Sequence, residues 1–192
     1  MTQRIRTPAL APPPIRPATP LDADPTAFLE NHYLHVWETR MQDLPFVNAR
    51  LGVAAVGFSR HRGDWVGVMV TPWFLNLFLL SGGGELWGDI PAGERRYIEL
   101  PCGTLQFIAD DDPDLGPYQY CPLIAPVTGL ESMIAALGAA RDALTAAFTP
   151  PPEAPALAEA PGAPAMSEAK PPGDDTPPPP RRAFLRRLAG KR

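Results

Sequence analysis

Proline placement constrains this chain more than any other feature. Of its 27 prolines, 7 lie in residues 1–25 and 12 in residues 150–180. Proline removes a backbone donor and blocks helix and sheet interiors. Those two stretches therefore cannot contribute layers to a core. The middle carries ordinary composition and reads as one domain of about 125 residues, near the commonest domain size. A chain of that length buries roughly two-thirds of its unfolded surface and needs no staples. The sequence divides into a Pro/Ala-rich arm without fixed structure (1–23), a folded domain (24–149), a Pro/Ala linker (150–180) and a basic tail (181–192). Two cysteines, Cys102 and Cys121, exclude a disulfide framework and a four-cysteine metal site.

Charge narrows the function classes. The net charge is −4, but residues 21–149 carry 16 acids against 7 arginines. An acidic domain repels phosphate, so nucleic-acid binding is not expected. The last twelve residues hold six basic groups and no acid. No apolar run follows the N-terminal arginines, so a cytoplasmic protein is expected. Residues 65–84 lack any charge. Thr71, Pro72 and Asn76 interrupt that stretch, and alternating β-branched residues favour buried strands over a membrane span.

The element pattern is α+β. Asp24-Pro25 is a helix-start signal, and Leu29, Tyr33, Val36, Trp37, Arg40 and Met41 recur at helical spacing. One amphipathic helix over about 25–42 is expected. Strands are expected over 51–59, 65–71, 73–80, 95–100, 104–109 and 118–124. The loop 60–64 and the segment Pro101-Cys102-Gly103 read as hairpin connections. Gly82 to Gly84 and the acidic run Asp110 to Asp114 read as turns. Thr128 and Glu131 have capping-box spacing, which starts a second helix at 128 and carries it to about Phe148. The architecture expected is an N-terminal helix, a mainly antiparallel sheet of five or six strands, and a C-terminal helix packed on the sheet.

Catalytic and metal signatures are not evident. No phosphate-binding glycine loop or zinc-hydrolase motif occurs. His32 and His35 have ligand spacing, but the sequence supplies no third ligand beside them, so they read as structural. The acidic run lacks the spacing of a calcium loop and reads as a solvated turn. Either cysteine acts as a nucleophile only beside a base, and the sequence shows none. No cofactor and no metal is expected.

Several segments taken in order resemble one family. They are Asp64-Trp65-Val66-Gly67-Val68-Met69-Val70-Thr71-Pro72-Trp73-Phe74-Leu75, Leu86-Trp87, Leu100-Pro101-Cys102-Gly103-Thr104-Leu105-Gln106-Phe107, Tyr120-Cys121-Pro122-Leu123 and Arg181-Arg182-Ala183-Phe184-Leu185-Arg186-Arg187. The pattern W-x-G-x-x-V-T-P-W followed by P-x-G-T-x-x-F is the most specific part. The sequence resembles nickel–iron hydrogenase assembly chaperones of the HybE/HupJ type. That resemblance implies a cytoplasmic, non-catalytic helper in hydrogenase maturation. It implies binding of large and small subunit precursors, with twin-arginine export held back until the metal centres are in place. Some relatives carry a fused rubredoxin; that module is missing here. Cys121 falls where the family pattern has its cysteine.

The motif also admits a physical reading. Proline belongs at a strand edge, start or bulge. Thr71-Pro72-Trp73 is therefore expected to break a strand and to present Trp73 and Phe74 at a rim. Partner contacts are expected at Trp65, Thr71, Pro72, Trp73, Phe74 and Cys121, and in the tail at Arg181, Arg182, Phe184 and Leu185. The tail matches the R-R-x-F-L-K/R pattern of twin-arginine signals but lacks the apolar segment that follows in a true signal. A solvated tail and a mimic of the client's signal both fit. Two other functions fit the sequence: a general peptide-binding scaffold, and a thiol-dependent enzyme using Cys121.

Overall fold

The computed structural model describes residues 14–151. The rest of the arm, the linker from residue 152 and the tail residues Arg181, Arg182, Phe184 and Leu185 lie outside the described residues. The elements in order are α1 (Thr26–Val36), a π turn (Trp37–Met41), β1 (Ala54–His61), β2 (Asp64–Val70), β3 (Leu75–Leu80), β4 (Arg95–Leu100), β5 (Gly103–Asp112), β6 (Gly116–Ile124), a 3-10 turn (Val127–Gly129) and α2 (Met133–Phe148). The six strands form one antiparallel sheet in the order β1-β2-β3-β6-β5-β4. The α+β architecture is as the sequence indicates, with six strands.

Turn chemistry explains the hairpins. His61 pairs with Asp64, leaving Arg62 and Gly63 as a two-residue turn with φ of 49° and 90°. Both left-handed values suit the twist of the flanking strands. The turn is thus tighter than the five-residue loop read from sequence. Leu100 pairs with Gly103 across Pro101-Cys102. The acidic run divides: Asp110 to Asp112 extend β5, and only Pro113 to Leu115 turn. Asp112 Oδ1 accepts from the N–H of Asp114 (2.9 Å) and of Leu115 (3.0 Å), which closes that turn.

The two helix starts are corrected differently. Asp24 Oδ1 accepts from Thr26 N–H at 2.8 Å, but the N-cap is Pro25 and α1 begins at Thr26, one residue later than the sequence indicates. After Val36 the helix widens into the π turn rather than running on to 42. The Thr39 hydroxyl of that turn donates back to the His35 carbonyl of α1 at 2.7 Å. The Thr128–Glu131 capping box does not form. Asn48 Nδ2 donates to the carbonyls of Val127 (3.1 Å) and Leu130 (2.7 Å). The Val127 carbonyl also accepts from Leu130 N–H at 3.0 Å, so residues 127–129 form the 3-10 turn and α2 starts at Met133, with Ser132 Oγ accepting from Ala135 N–H.

Register assigns side chains to two faces, because successive residues of a strand point opposite ways. One face carries Val66, Val68 and Val70 of β2 with Leu75, Leu77 and Leu79 of β3, all essentially buried. Burying each such side chain contributes about 1.5–3 kcal/mol. α2 packs against β1, β2 and β3 through the buried stripe Ala136, Ala140, Ala143 and Ala147. The other face carries Trp65, Met69, Phe78 and Leu80, packed with Leu29 and Tyr33 of α1. The uncharged stretch 65–84 thus forms β2, β3 and their connections, and no helix among the described residues is long and apolar enough to cross a membrane.

A buried carboxylate pins the glycine triplet. Asp64 is fully buried; its Oδ1 accepts from Gly82 and Gly84 N–H (2.8 and 2.9 Å) and its Oδ2 from Leu86 and Trp87 N–H (both 2.8 Å). Burial pushes its pKa up, but the four donors outweigh burial and hold the carboxyl below its ordinary value. A side chain on Gly82 would collide with the Gly63 carbonyl, and one on Gly84 with the Arg62 carbonyl. The triplet is therefore a packed crossing.

The docked chain begins before Asp24. Leu21 N–H donates to the Ser81 carbonyl at 2.8 Å, Ala18 N–H to Asp89 Oδ1 at 3.0 Å, and Arg16 pairs with Asp111 at 3.1 Å. Residues 16–21 thus run along the domain, although their composition reads as an arm without fixed structure.

Candidate functional site

The break between β2 and β3 is a locked turn. Thr71 is fully buried, and its N–H donates to the Phe74 carbonyl at 2.9 Å. Thr71 Oγ1 accepts from the N–H of Phe74 (3.0 Å) and of Trp73 (3.3 Å), and its hydroxyl faces the Phe74 carbonyl at 3.1 Å. The Pro72 carbonyl, unable to join a ladder here, accepts from Asn48 N–H at 2.7 Å. Asn48 therefore ties the turn to the segment before α2.

This turn delivers two aromatic rings to the α1 face. Trp73 stacks on Trp37 of the π turn, with ring centres 6.1 Å apart and planes 20° from parallel. Tyr33 meets Phe74 edge-on at 5.4 Å, and Phe74 continues to Phe78 at 5.9 Å. Phe78 stacks on Tyr118 at 5.2 Å and lies 6.5 Å from Tyr120. The Tyr118 hydroxyl donates to Asp110 Oδ2 at 2.9 Å. Burial pushes the phenol pKa values of Tyr33, Tyr118 and Tyr120 up, and the Asp110 carboxylate adds to each shift. The phenols stay neutral, so the cluster offers ring faces and hydroxyls.

Beyond Tyr120 the same face opens. In β4, exposed Arg95, Tyr97 and Glu99 alternate with less exposed Arg96 and buried Ile98 and Leu100. That alternation marks a sheet with one face packed and one solvated. Tyr97 is 59% exposed, and Gln106 Nε2 donates to its hydroxyl at 3.0 Å. Trp73 and Phe74 are half-buried next to β3, and β6 and β5 lie between β3 and the open strand β4.

The family described as "[NiFe]-hydrogenase assembly, chaperone, HybE" matches residues 24–187. The chain belongs to this family. A hydrogenase expression/formation protein, HupJ, of Bradyrhizobium diazoefficiens is 35% identical over 132 residues, spanning 67% of this chain and 76% of its own length. A probable rubredoxin HupJ of Rhodobacter capsulatus is 33% identical over 128 residues, spanning 67% of this chain. The chain covers only 46% of that relative's length. The solution structure of HybE from Escherichia coli shares the fold, with a TM-score of 0.55, 23% identity, and coverage of 80% of this chain and 94% of that one.

Within this family fold, the residues singled out from sequence divide into three groups. Thr71, Pro72, Trp73 and Phe74 come together as one turn. Trp65 lies at the other end of β2, 8% exposed, with Nε1 donating to the Leu21 carbonyl at 2.8 Å and the Arg60 guanidinium 4.8 Å over its ring. Cys121 pairs in register with Leu77, so it belongs to the aliphatic face, away from Trp73. Cys102 sits in the β4–β5 turn, where burial pushes its thiol pKa up. That shift disfavours the thiolate a nucleophile needs. Asn48, Tyr118 and Tyr120 were not singled out by sequence. Tyr33 and Trp37 were legible as i, i+4 neighbours on a helix, whereas nothing local to Asn48 marks its role.

Proposed function

We propose that this chain is a non-catalytic chaperone of nickel–iron hydrogenase maturation, working in the cytoplasm. It binds hydrogenase subunit precursors and delays twin-arginine export until their metal centres are assembled. Family membership supports the maturation role. The observation that carries the binding mode is the aromatic shelf: the half-buried Trp37–Trp73 stack and Phe74, on the same sheet face as exposed Tyr97. Rings held by a locked turn present apolar area at little entropic cost, which suits an unfinished apolar segment of a client. The locked turn supplies the rings, while Trp65 and Cys121 support the fold behind them.

The test is capture of hydrogenase large-subunit precursor, and of small-subunit precursor with its signal uncleaved, by the purified full chain. Wild type is expected to retain a precursor. Trp73→Ala is expected to lose at least tenfold in affinity while its melt stays near wild type. Retention of neither precursor by wild type overturns the reading, and undiminished binding by Trp73→Ala removes the shelf from it.

A further inference from the structure

α1 and the β5–β6 turn bring three metal-ligating side chains together, 80 residues apart in sequence. His32 precedes Tyr33 on α1, and its side chain is only 9% exposed. Its Nε2 lies 3.7 Å from Asp112 Oδ1, too far for a hydrogen bond. Among the described residues the ring has no hydrogen-bond partner. A buried imidazole is thus aimed at a carboxylate without bonding to it. Asp112 is itself held in place by the two N–H donors of its turn. Asp114 completes the group: one ligand atom from each of His32, Asp112 and Asp114 lies within 4.8 Å of the others.

Ligands sharing an ion at bond lengths of about 2.0–2.2 Å stand at most roughly 4.4 Å apart. Asp114 is exposed and its side chain is unrestrained by the turn's own bonds, so a small rotation closes the set. One imidazole with two carboxylates suits a borderline divalent ion better than magnesium or calcium, which prefer oxygen alone. We propose that His32, Asp112 and Asp114 form an open site for a divalent first-row transition-metal ion, with solvent completing its coordination. The ion clamps α1 to the β5–β6 turn beside Tyr33, the ring on which Trp73 and Phe74 converge. The remaining charges nearby are Arg40, Asp110 and the Arg16–Asp111 pair.

The experiment is a titration of the full chain with Co²⁺ at pH 7.5, followed by visible absorption, and with Zn²⁺ by calorimetry, without any client. One equivalent is expected to bind with a visible cobalt band. His32→Gln is expected to abolish it, and exposed Asp114→Asn to weaken it at least tenfold with the metal-free melt unchanged. His35→Gln and the Cys102→Ser/Cys121→Ser double variant are expected to bind as wild type does. Failure of wild type to bind stoichiometrically overturns the proposal, leaving His32 and Asp112 as an ion pair. Binding that survives Asp114→Asn at full strength, or that disappears with the cysteines, overturns it equally.

Discussion

The two faces of the sheet solve the same burial problem differently. The aliphatic face of β2 and β3 meets an alanine-striped helix, and alanine lets α2 approach closely over a layer of valine and leucine. Along β4 the same side buries Ile98 and Leu100. The opposite face is covered by the shorter α1, filled with aromatic rings, and left open toward Tyr97. Aliphatic packing favours complete exclusion of water. Aromatic side chains bury large area and still present polar tips at a wet edge. One face is thus built for stability and the other combines stability with an accessible shelf.

Replacing Asp64 tests the closed side most severely. Asp64→Ala leaves four N–H groups without acceptors and is expected to cost about 4 kcal/mol in denaturant unfolding. A loss under half that size would mean the glycine crossing holds without its carboxylate. Next comes Ala140→Leu, which overfills the α2 interface and is expected to cost about 2 kcal/mol. Trp73→Ala, on the half-open side, is expected to cost only about 1 kcal/mol, because the ring is already partly in water. Equal losses for Ala140→Leu and Trp73→Ala would erase the contrast between the faces.

Acid and alkali sharpen the contrast further. The folded pKa of Asp64 lies below its ordinary 3.8, so its stabilisation is present above about pH 4 and is lost as pH falls through the folded value. Asp64→Asn should flatten that acid limb of the melting profile. The phenols of Tyr33 and Tyr118 are raised, so their contribution is full below about pH 10 and fades as pH climbs toward the folded values. Tyr118→Phe should flatten the alkaline limb and leave the acid limb unchanged. The smallest effect expected is kinetic: Cys102, with its raised pKa, should react with iodoacetamide more slowly at pH 8 than an unhindered peptide thiol. Alkylation as fast as that of the peptide thiol would mean that the β4–β5 turn does not shield Cys102.

Much of the fold was legible because its signals are local. β4 occupies the 95–100 span read from sequence, and Phe148 ends α2 just before the prolines. The hairpin at Arg62-Gly63 was visible from its glycine. The misreadings arose where a distant partner intervened. The Thr128–Glu131 spacing is a sound capping signal, but Asn48 bonds the Val127 and Leu130 carbonyls on either side of a 3-10 turn that precedes the helix. The glycine triplet looked like a plain turn because its acceptor, Asp64, lies 18 residues earlier. At the candidate site, the strand break at Pro72 could be read from one residue's missing N–H. The Trp37–Trp73 stack could not, since it depends on the π turn.

The sequence by itself determined the α+β class, the antiparallel hairpins and the family motifs. Each follows from backbone chemistry within a few residues. Tertiary structure alone decided which face each side chain serves. Register across β2, β3 and β6 sends Cys121 to the side opposite Tyr120, and chain direction separates Trp65 from Trp73 along β2. It also carried His32 to Asp112 and Asp114. Strand pairing and helix docking join residues far apart in the chain, and their outcome depends on global packing rather than on any local pattern.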